Sequence, residues 1–403
     1  MPPVAWDADR PAEVIGEGTV PKASPARQSR DAYLPMRCFL GLLRISALTS
    51  DGARGCGTGD ILHTATAVIL NTSLGVVTIM LSFLAGVSEL SQGRSMVHAI
   101  AKSNFFGLMF LLMWVSLMFC YVVGRRRFGR LLHRVGRRLD DMLDLPGYWE
   151  SVRILRQEVT WLLVVAFVMA LATAAASFYM INIHRNNCAT PTLCVMMQLY
   201  GAAFEAFYIS FILNTLKFIY AGLQVNCGFR AINISLEDFV NKKSEHASGT
   251  LDQLMAMQDD LAQFFVSITS AMSYELVSVM ACGTVASVSM WLVPILYAST
   301  DTMAAMWPML LLYVLGSTIA VVLPCELIER MVLTLARTRN LLLVTERRQP
   351  LLGQQLSLFR ETVGRDLESL GDLGFFKMRR STILSTSATI LTYIIVMVQF
   401  LNA

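Results

Sequence analysis

The chain has 403 residues, of which 55% are hydrophobic and only 15% charged, with a formal net charge of +4. That balance excludes an ordinary water-soluble chain of two or three domains, in which about a quarter of residues are charged. Lipid is the expected solvent, and nothing in the charge suggests a nucleic-acid partner.

Residues 1–60 read as a cytoplasmic tail. Its first 30 residues carry Pro2, Pro3, Pro11, Pro21 and Pro25 and cannot bury a core. They hold no apolar segment of the kind a cleavable signal peptide needs. Leu34 to Leu48 mixes apolar and basic residues, as expected of an amphipathic helix on the inner membrane face or of a segment packed beneath a helix bundle. A helix crosses the hydrocarbon with roughly 20 mostly apolar residues. Uncharged runs of that kind lie between Asp60 and Glu89, Lys102 and Arg125, Glu158 and Arg185, Glu275 and Asp301, Asp301 and Glu326, and from Arg380 to the end. Cys194 to Gly228 adds another, kept apolar by Tyr200, Phe204, Phe207, Tyr208, Phe211 and Phe218 despite Glu205 and Lys217. The expected fold is therefore all-α, a polytopic membrane protein with seven transmembrane helices.

Basic residues set the orientation, because cytoplasmic loops carry excess Lys and Arg. With the N-terminus inside, cytoplasmic stretches carry 7, 9, 3 and 10 of the 33 lysines and arginines, and outer loops only 2 and 1. The C-terminus is then extracellular. The cluster Arg125, Arg126, Arg127, Arg130, Arg134, Arg137 and Arg138 reads as a stop-transfer anchor on lipid headgroups. In this topology the sequons at Asn71 and Asn233 fall in a span and a cytoplasmic loop and stay unmodified. Among the cysteines only Cys188 and Cys194 fall in an outer loop, where a disulfide and two free thiols are equal readings.

Spans four to six are expected to run on below the membrane, since Leu251 to Phe265 and Cys325 to Leu343 keep helical apolar spacing while becoming charged. Pro350 should break the chain there. Leu352, Leu356, Phe359, Val363, Leu367 and Leu370 then predict an amphipathic helix, and Gly371 with Gly374 a turn before the last span. The organisation read from the chain is thus a tail (1–60), six spans with their loops (61–328), anchor helices (329–380) and a final span (381–403). No internal repeat is visible, which argues against symmetric transporter folds.

No nucleotide loop, metal-ligand cluster or nucleophile motif is present, so no enzyme, cofactor or metal site is expected. Glu205 and Glu275 stand on different spans. Each reads as a carboxyl satisfied by a neighbouring helix, with Glu205, amid aromatics, also fitting a polar anchor in an apolar pocket. Aromatics in the outer halves of the spans, such as Tyr179, Trp291, Tyr297 and Trp307, suit an interfacial belt or a ligand cavity. In the last span Ser381, Ser385, Thr389, Thr392, Val396 and Gln399 recur at steps of three or four and form one stripe. Such a stripe fits close helix packing and a water-filled pore equally well; the pore requires several copies around an axis.

Thr392 to Phe400 reads TYIIVMVQF, preceded by GDLGFFKMRRSTIL. This resembles the TYhhhhhQF motif (h apolar) that closes the final helix of insect gustatory receptors, together with the glycine-aromatic turn before it. The resemblance implies a tetrameric, ligand-gated, non-selective cation channel in the plasma membrane of sensory neurons, either a homotetramer or a heteromer with other gustatory receptors. It implies pore and gate positions at Thr392, Tyr393, Val396, Gln399 and Phe400. It also implies a tastant pocket in the outer halves of spans two to six, where Tyr179, Glu205, Tyr208, Trp291, Tyr297 and Trp307 are the candidate contacts. Sweet-taste members tend to carry Glu after the motif tyrosine. Ile394 here leaves a bitter plant compound or a fructose-type sugar, detected for acceptance or avoidance. The alternatives are a G-protein-coupled receptor, opposed by the charge bias and the missing DRY and NPxxY motifs, and a solute transporter.

Overall fold

The computed structural model describes residues 34–46, 48, 62, 64–73, 75–77, 79–80, 111–187, 191–241, 247–297, 302–373 and 377–402. Among them the secondary structure is helical apart from one isolated antiparallel bridge, Asp372 with Lys377. The helices are α1 (Leu34–Ile45), α2 (Arg125–Asp141), α3 (Tyr148–Asn187), α4 (Pro191–Asn241), α5 (Ala247–Tyr297), α6 (Thr302–Arg348), α7 (Gly353–Ser369) and α8 (Arg380–Asn402). Residues 111–119 are also helical and reach α2 through one π turn, Cys120–Gly124.

The seven-span, all-α reading holds. Tyr148–Ala176 and Gly249–Val285 are long and apolar enough to cross a membrane. The remaining spans fall on helices interrupted by undescribed residues or carrying polar groups. Residues 64–77 lie antiparallel to the second span: Asn71 bonds the Tyr121 hydroxyl, Thr72 the Met118 sulfur, and Gly75 faces Trp114.

Spans four to six do run on, as continuous helices of 51, 51 and 47 residues. Polar pairs tie α4 to α3 and to α6 beyond the apolar stretch. Arg230 forks onto Glu158 at 2.9 and 3.3 Å, Asn233 donates to the Thr334 carbonyl at 3.0 Å, and Arg337 meets Glu237 at 2.7 Å. Asn233 is thus a buried helix-packing residue, in keeping with its expected lack of a glycan. Such bonds satisfy groups that would otherwise be costly to bury between helices.

The N-terminal apolar segment packs beneath the bundle rather than lying free. Met36, Phe39 and Leu43 of α1 and the following Leu48 are buried, and the Phe39 ring sits 5.0 Å from that of Tyr220. The basic cluster needs one correction. Arg125 is no headgroup anchor, because it is buried and bonded to the Thr64 hydroxyl. Arg126, Arg127, Arg130, Arg134 and Arg137 remain exposed, while Phe128, Leu132, Val135 and Leu139 turn the opposite face of α2 into the core.

After a 3-10 turn at Pro350–Leu352, α7 buries Leu356, Phe359 and Val363, which are steps of three and four on one face. Asp366 is half-buried with its Oδ2 unbonded among the described residues. Burial, reinforced by the negative charge of Asp259, raises its carboxyl from 3.8 to about 6. The unfolded chain then holds fewer protons than the folded one between those values, so this group's contribution to stability declines as pH rises through that window. Asp366→Asn should flatten the decline, which thermal unfolding of the purified protein at pH 4.5 and 7 would measure.

Gly371 ends the α7 turn with φ of +77°. A Cβ there would crowd the Ile328 side chain at 2.8 Å and the Met378 carbonyl at 2.9 Å, so both backbone conformation and space require glycine. Lys377 and Arg379 then donate to the Glu368 and Leu367 carbonyls at 2.8 and 3.2 Å, capping α7 from beyond its C-terminus. Arg380, bonded to Glu326 of α6, starts the final helix.

Candidate functional site

Helix α8 touches α5 and α6, and most of its surface is uncovered by the rest of the chain. Ser381, Ser385, Thr389, Thr392, Val396 and Gln399 are all exposed. Thr389 and Thr392 donate to the carbonyls of Ser385 and Ala388, each at 2.9 Å. Back-bonding satisfies the hydroxyl proton within the helix and leaves an oxygen lone pair facing outward. Tyr393, Leu384, Leu391 and Ile395 are exposed as well, so the helix presents both polar and apolar flanks. The side chain of Phe400 lies outside the described residues.

The candidate ligand contacts divide. Tyr208 is buried where α3, α4 and α6 meet, its hydroxyl lying where a Cβ at Gly316 would be, with the Met169 side chain alongside. Glu205, one turn nearer the N-terminus of α4, is half-buried, and its Oε1 has no hydrogen-bond partner among the described residues. Tyr179 lies higher on α3 and is 46% exposed. The side chains of Trp291, Tyr297 and Trp307 lie outside the described residues, as does the Cys188–Cys194 reading.

The most polar buried cluster was not assembled by sequence reasoning. Lys217 of α4 is fully buried, and its Nζ donates to Glu275 Oε2 of α5 at 2.8 Å and to Cys120 Sγ of the π turn at 3.1 Å. The Phe128 ring lies 5.0 Å from the ammonium, close enough for a cation–π contact. Asn214 reaches Ser116, and Ser116 the Glu275 carbonyl, both at 3.5 Å. A Cβ on Gly124 would overlap Glu275 Oε1. Glu275 Oε2 is thus met by a neighbouring helix, as expected, with Lys217 its partner rather than an isolated intrusion, while Glu275 Oε1 has no hydrogen-bond partner among the described residues. The available signal was a pair of opposite charges, one in each of two successive spans.

Among the described residues no group of His, Cys, Asp and Glu side chains could hold a metal ion.

The fold matches solved insect structures over nearly its full length. The olfactory receptor OR5 of Machilis hrabei in complex with eugenol superposes with a TM-score of 0.64 at 13% identity, covering 93% of this chain and 99% of that one. The structure of OR5 described without eugenol gives 0.65 at 14% identity, covering 92% and 100%. No curated protein matches the sequence at a significant level. The family model for the 7tm chemosensory receptor matches residues 36–401. This chain is therefore a membrane protein of the 7tm chemosensory receptor family.

Proposed function

We propose that the protein is a gustatory receptor of sensory neurons, acting in the plasma membrane as a ligand-gated, non-selective cation channel. Its stimulus is a small tastant, either a bitter plant compound or a fructose-type sugar. Four copies, identical or mixed with other gustatory receptors, bring their α8 helices together around one pore. In this reading 1–60 is a cytoplasmic tail, 61–328 the sensing bundle, 329–380 the intracellular anchor and 381–403 the pore wall.

One observation carries the reading: the polar stripe of α8 lies uncovered by the chain's own helices and coincides with TYIIVMVQF at Thr392 and Gln399. A helix packed for stability alone would bury its hydroxyl and amide face against neighbours. Exposing that face to lipid would leave the Gln399 amide and the outward hydroxyl lone pairs without partners, so water in a shared pore is the better environment. Thr392, Tyr393, Val396, Gln399 and Phe400 would line or gate that pore.

The eugenol bound by OR5 lends support to a small-molecule stimulus. Glu205, with an unbonded carboxyl oxygen, and Tyr208, packed at the three-helix junction, would form the floor of the pocket. Tyr179, Trp291, Tyr297 and Trp307 would line its outer part.

Gln399→Ala should change unitary conductance or shift the half-maximal tastant concentration several-fold, with surface expression retained. Patch-clamp recording of cells expressing this chain, after a calcium screen against bitter compounds and sugars, provides the measurement. Unchanged currents would remove Gln399 from the pore.

A further inference from the structure

We infer that α3 carries a binding site for the headgroup of an anionic phospholipid of the cytoplasmic leaflet. Arg153, Arg156, Gln157, Thr160 and Trp161 line a groove of about 300 Å³. Steps of three, one, three and one put all five on one helix face, and all are exposed. The opposite face of α3 is committed to the core through Val152, Leu155, Val159, Leu162, Ala166 and Met169. The groove therefore opens away from the bundle.

Its chemistry changes along the helix as a phospholipid's does. Two guanidinium groups come first, then an amide and a hydroxyl, then an indole. Beyond Trp161 the same face continues with Val164, Val168 and Leu171, exposed by 43, 53 and 61% within a segment apolar enough to span a bilayer. Within that segment Trp161 stands near the start of the uncharged run that follows Glu158, the depth that indoles favour. Arg153 and Arg156 precede that run, on the side read as cytoplasmic from the basic bias.

Among the described residues the two guanidinium groups also lack carboxylate partners. Arg138, Arg230, Arg330, Arg337, Arg360 and Arg380 each meet a carboxylate. Among the described residues none pairs with Arg153 or Arg156. On their helix Glu158 is occupied by Arg230, and Glu150, three residues before Arg153, makes no ion pair with it. Planar guanidinium forks match phosphate oxygens two at a time. A choline headgroup would bring its ammonium uncompensated beside two positive charges, whereas serine offsets its ammonium with a carboxylate and phosphorylated inositol adds further phosphate charge. Anionic lipid is thereby selected over zwitterionic lipid, and the site does not depend on the pore reading.

The test uses the full-length chain in detergent, its thermal unfolding followed as dioctanoyl phosphatidylserine, dioctanoyl phosphatidylinositol bisphosphate, dioctanoyl phosphatidylcholine or inorganic phosphate is added. Saturable stabilisation by the anionic lipids and none by phosphatidylcholine is expected. Losing two charge-assisted contacts in the Arg153→Gln/Arg156→Gln variant should raise the half-saturating concentration about tenfold or more. Arg347→Gln/Arg348→Gln, exposed at the C-terminal end of α6, should leave it unchanged. Should the double glutamine variant not fold, Arg153→Lys/Arg156→Lys keeps the charge and should bind several-fold more weakly. Equal stabilisation by phosphatidylcholine, full effect from inorganic phosphate alone, or unaltered half-saturation in the arginine variants would overturn the site.

Discussion

Lys217→Met should destabilise the protein by about 3–5 kcal/mol, because it leaves the Glu275 carboxylate buried without its cation. Lys217 Nζ holds that carboxylate at 2.8 Å with essentially no solvent at either side chain. Methionine matches the length and apolar stem of lysine, so packing changes little and the loss is electrostatic. The companion Lys217→Met/Glu275→Met should recover most of the stability, since well-packed apolar side chains often replace a buried ion pair at no net cost. Fluorescence-detected size-exclusion chromatography after heating would report both, as the temperature at which half the folded peak is lost. A single variant as stable as the parent would show that the pair contributes nothing to the fold.

Gly124→Ala should cost about 1–3 kcal/mol by overpacking a filled site. Its new methyl would occupy the place of Glu275 Oε1 and press on Cδ at 2.9 Å. The carboxylate would have to move away from Gly124 and disturb its bond to Lys217, so the two sites should be coupled. In a Lys217→Met/Glu275→Ala background the same alanine should be close to neutral. A double-mutant cycle should therefore give an interaction of more than about 1 kcal/mol. Additive effects would mean that the glycine serves only the π turn at Cys120–Gly124, whose wider winding is itself a frequent mark of functional helices.

Local patterns were legible wherever one helix face decided the matter. Leu356, Phe359 and Val363 were read as an apolar face and are buried as one. Pro350 was read as a break and opens a 3-10 turn. Both follow from spacing and backbone chemistry, which the sequence states directly. Arg125 was misread because its neighbours in the basic cluster are exposed, and only the position of Thr64 on another helix tells it apart. The Lys217–Glu275 bond joins residues 58 apart in sequence, a pairing that depends on how two helices are turned toward each other. For α8 the stripe was visible in the spacing, while its lack of cover required knowing where α5 and α6 end up.

Lys217 stands 26 residues after the start of α4 and 24 before its end, and Glu275 stands 28 after the start of α5 and 22 before its end. At 1.5 Å per residue each helix is a rod about 75 Å long, and the ion pair pins the two rods near their midpoints. Rods fastened there behave as a seesaw. A tilt of about 5° around the pin moves an end roughly 37 Å away by about 3 Å, and moves the opposite end as far the other way. A displacement of the outer tips of α4 and α5 would thus reach their inner tips at full amplitude with its direction reversed, without either helix bending.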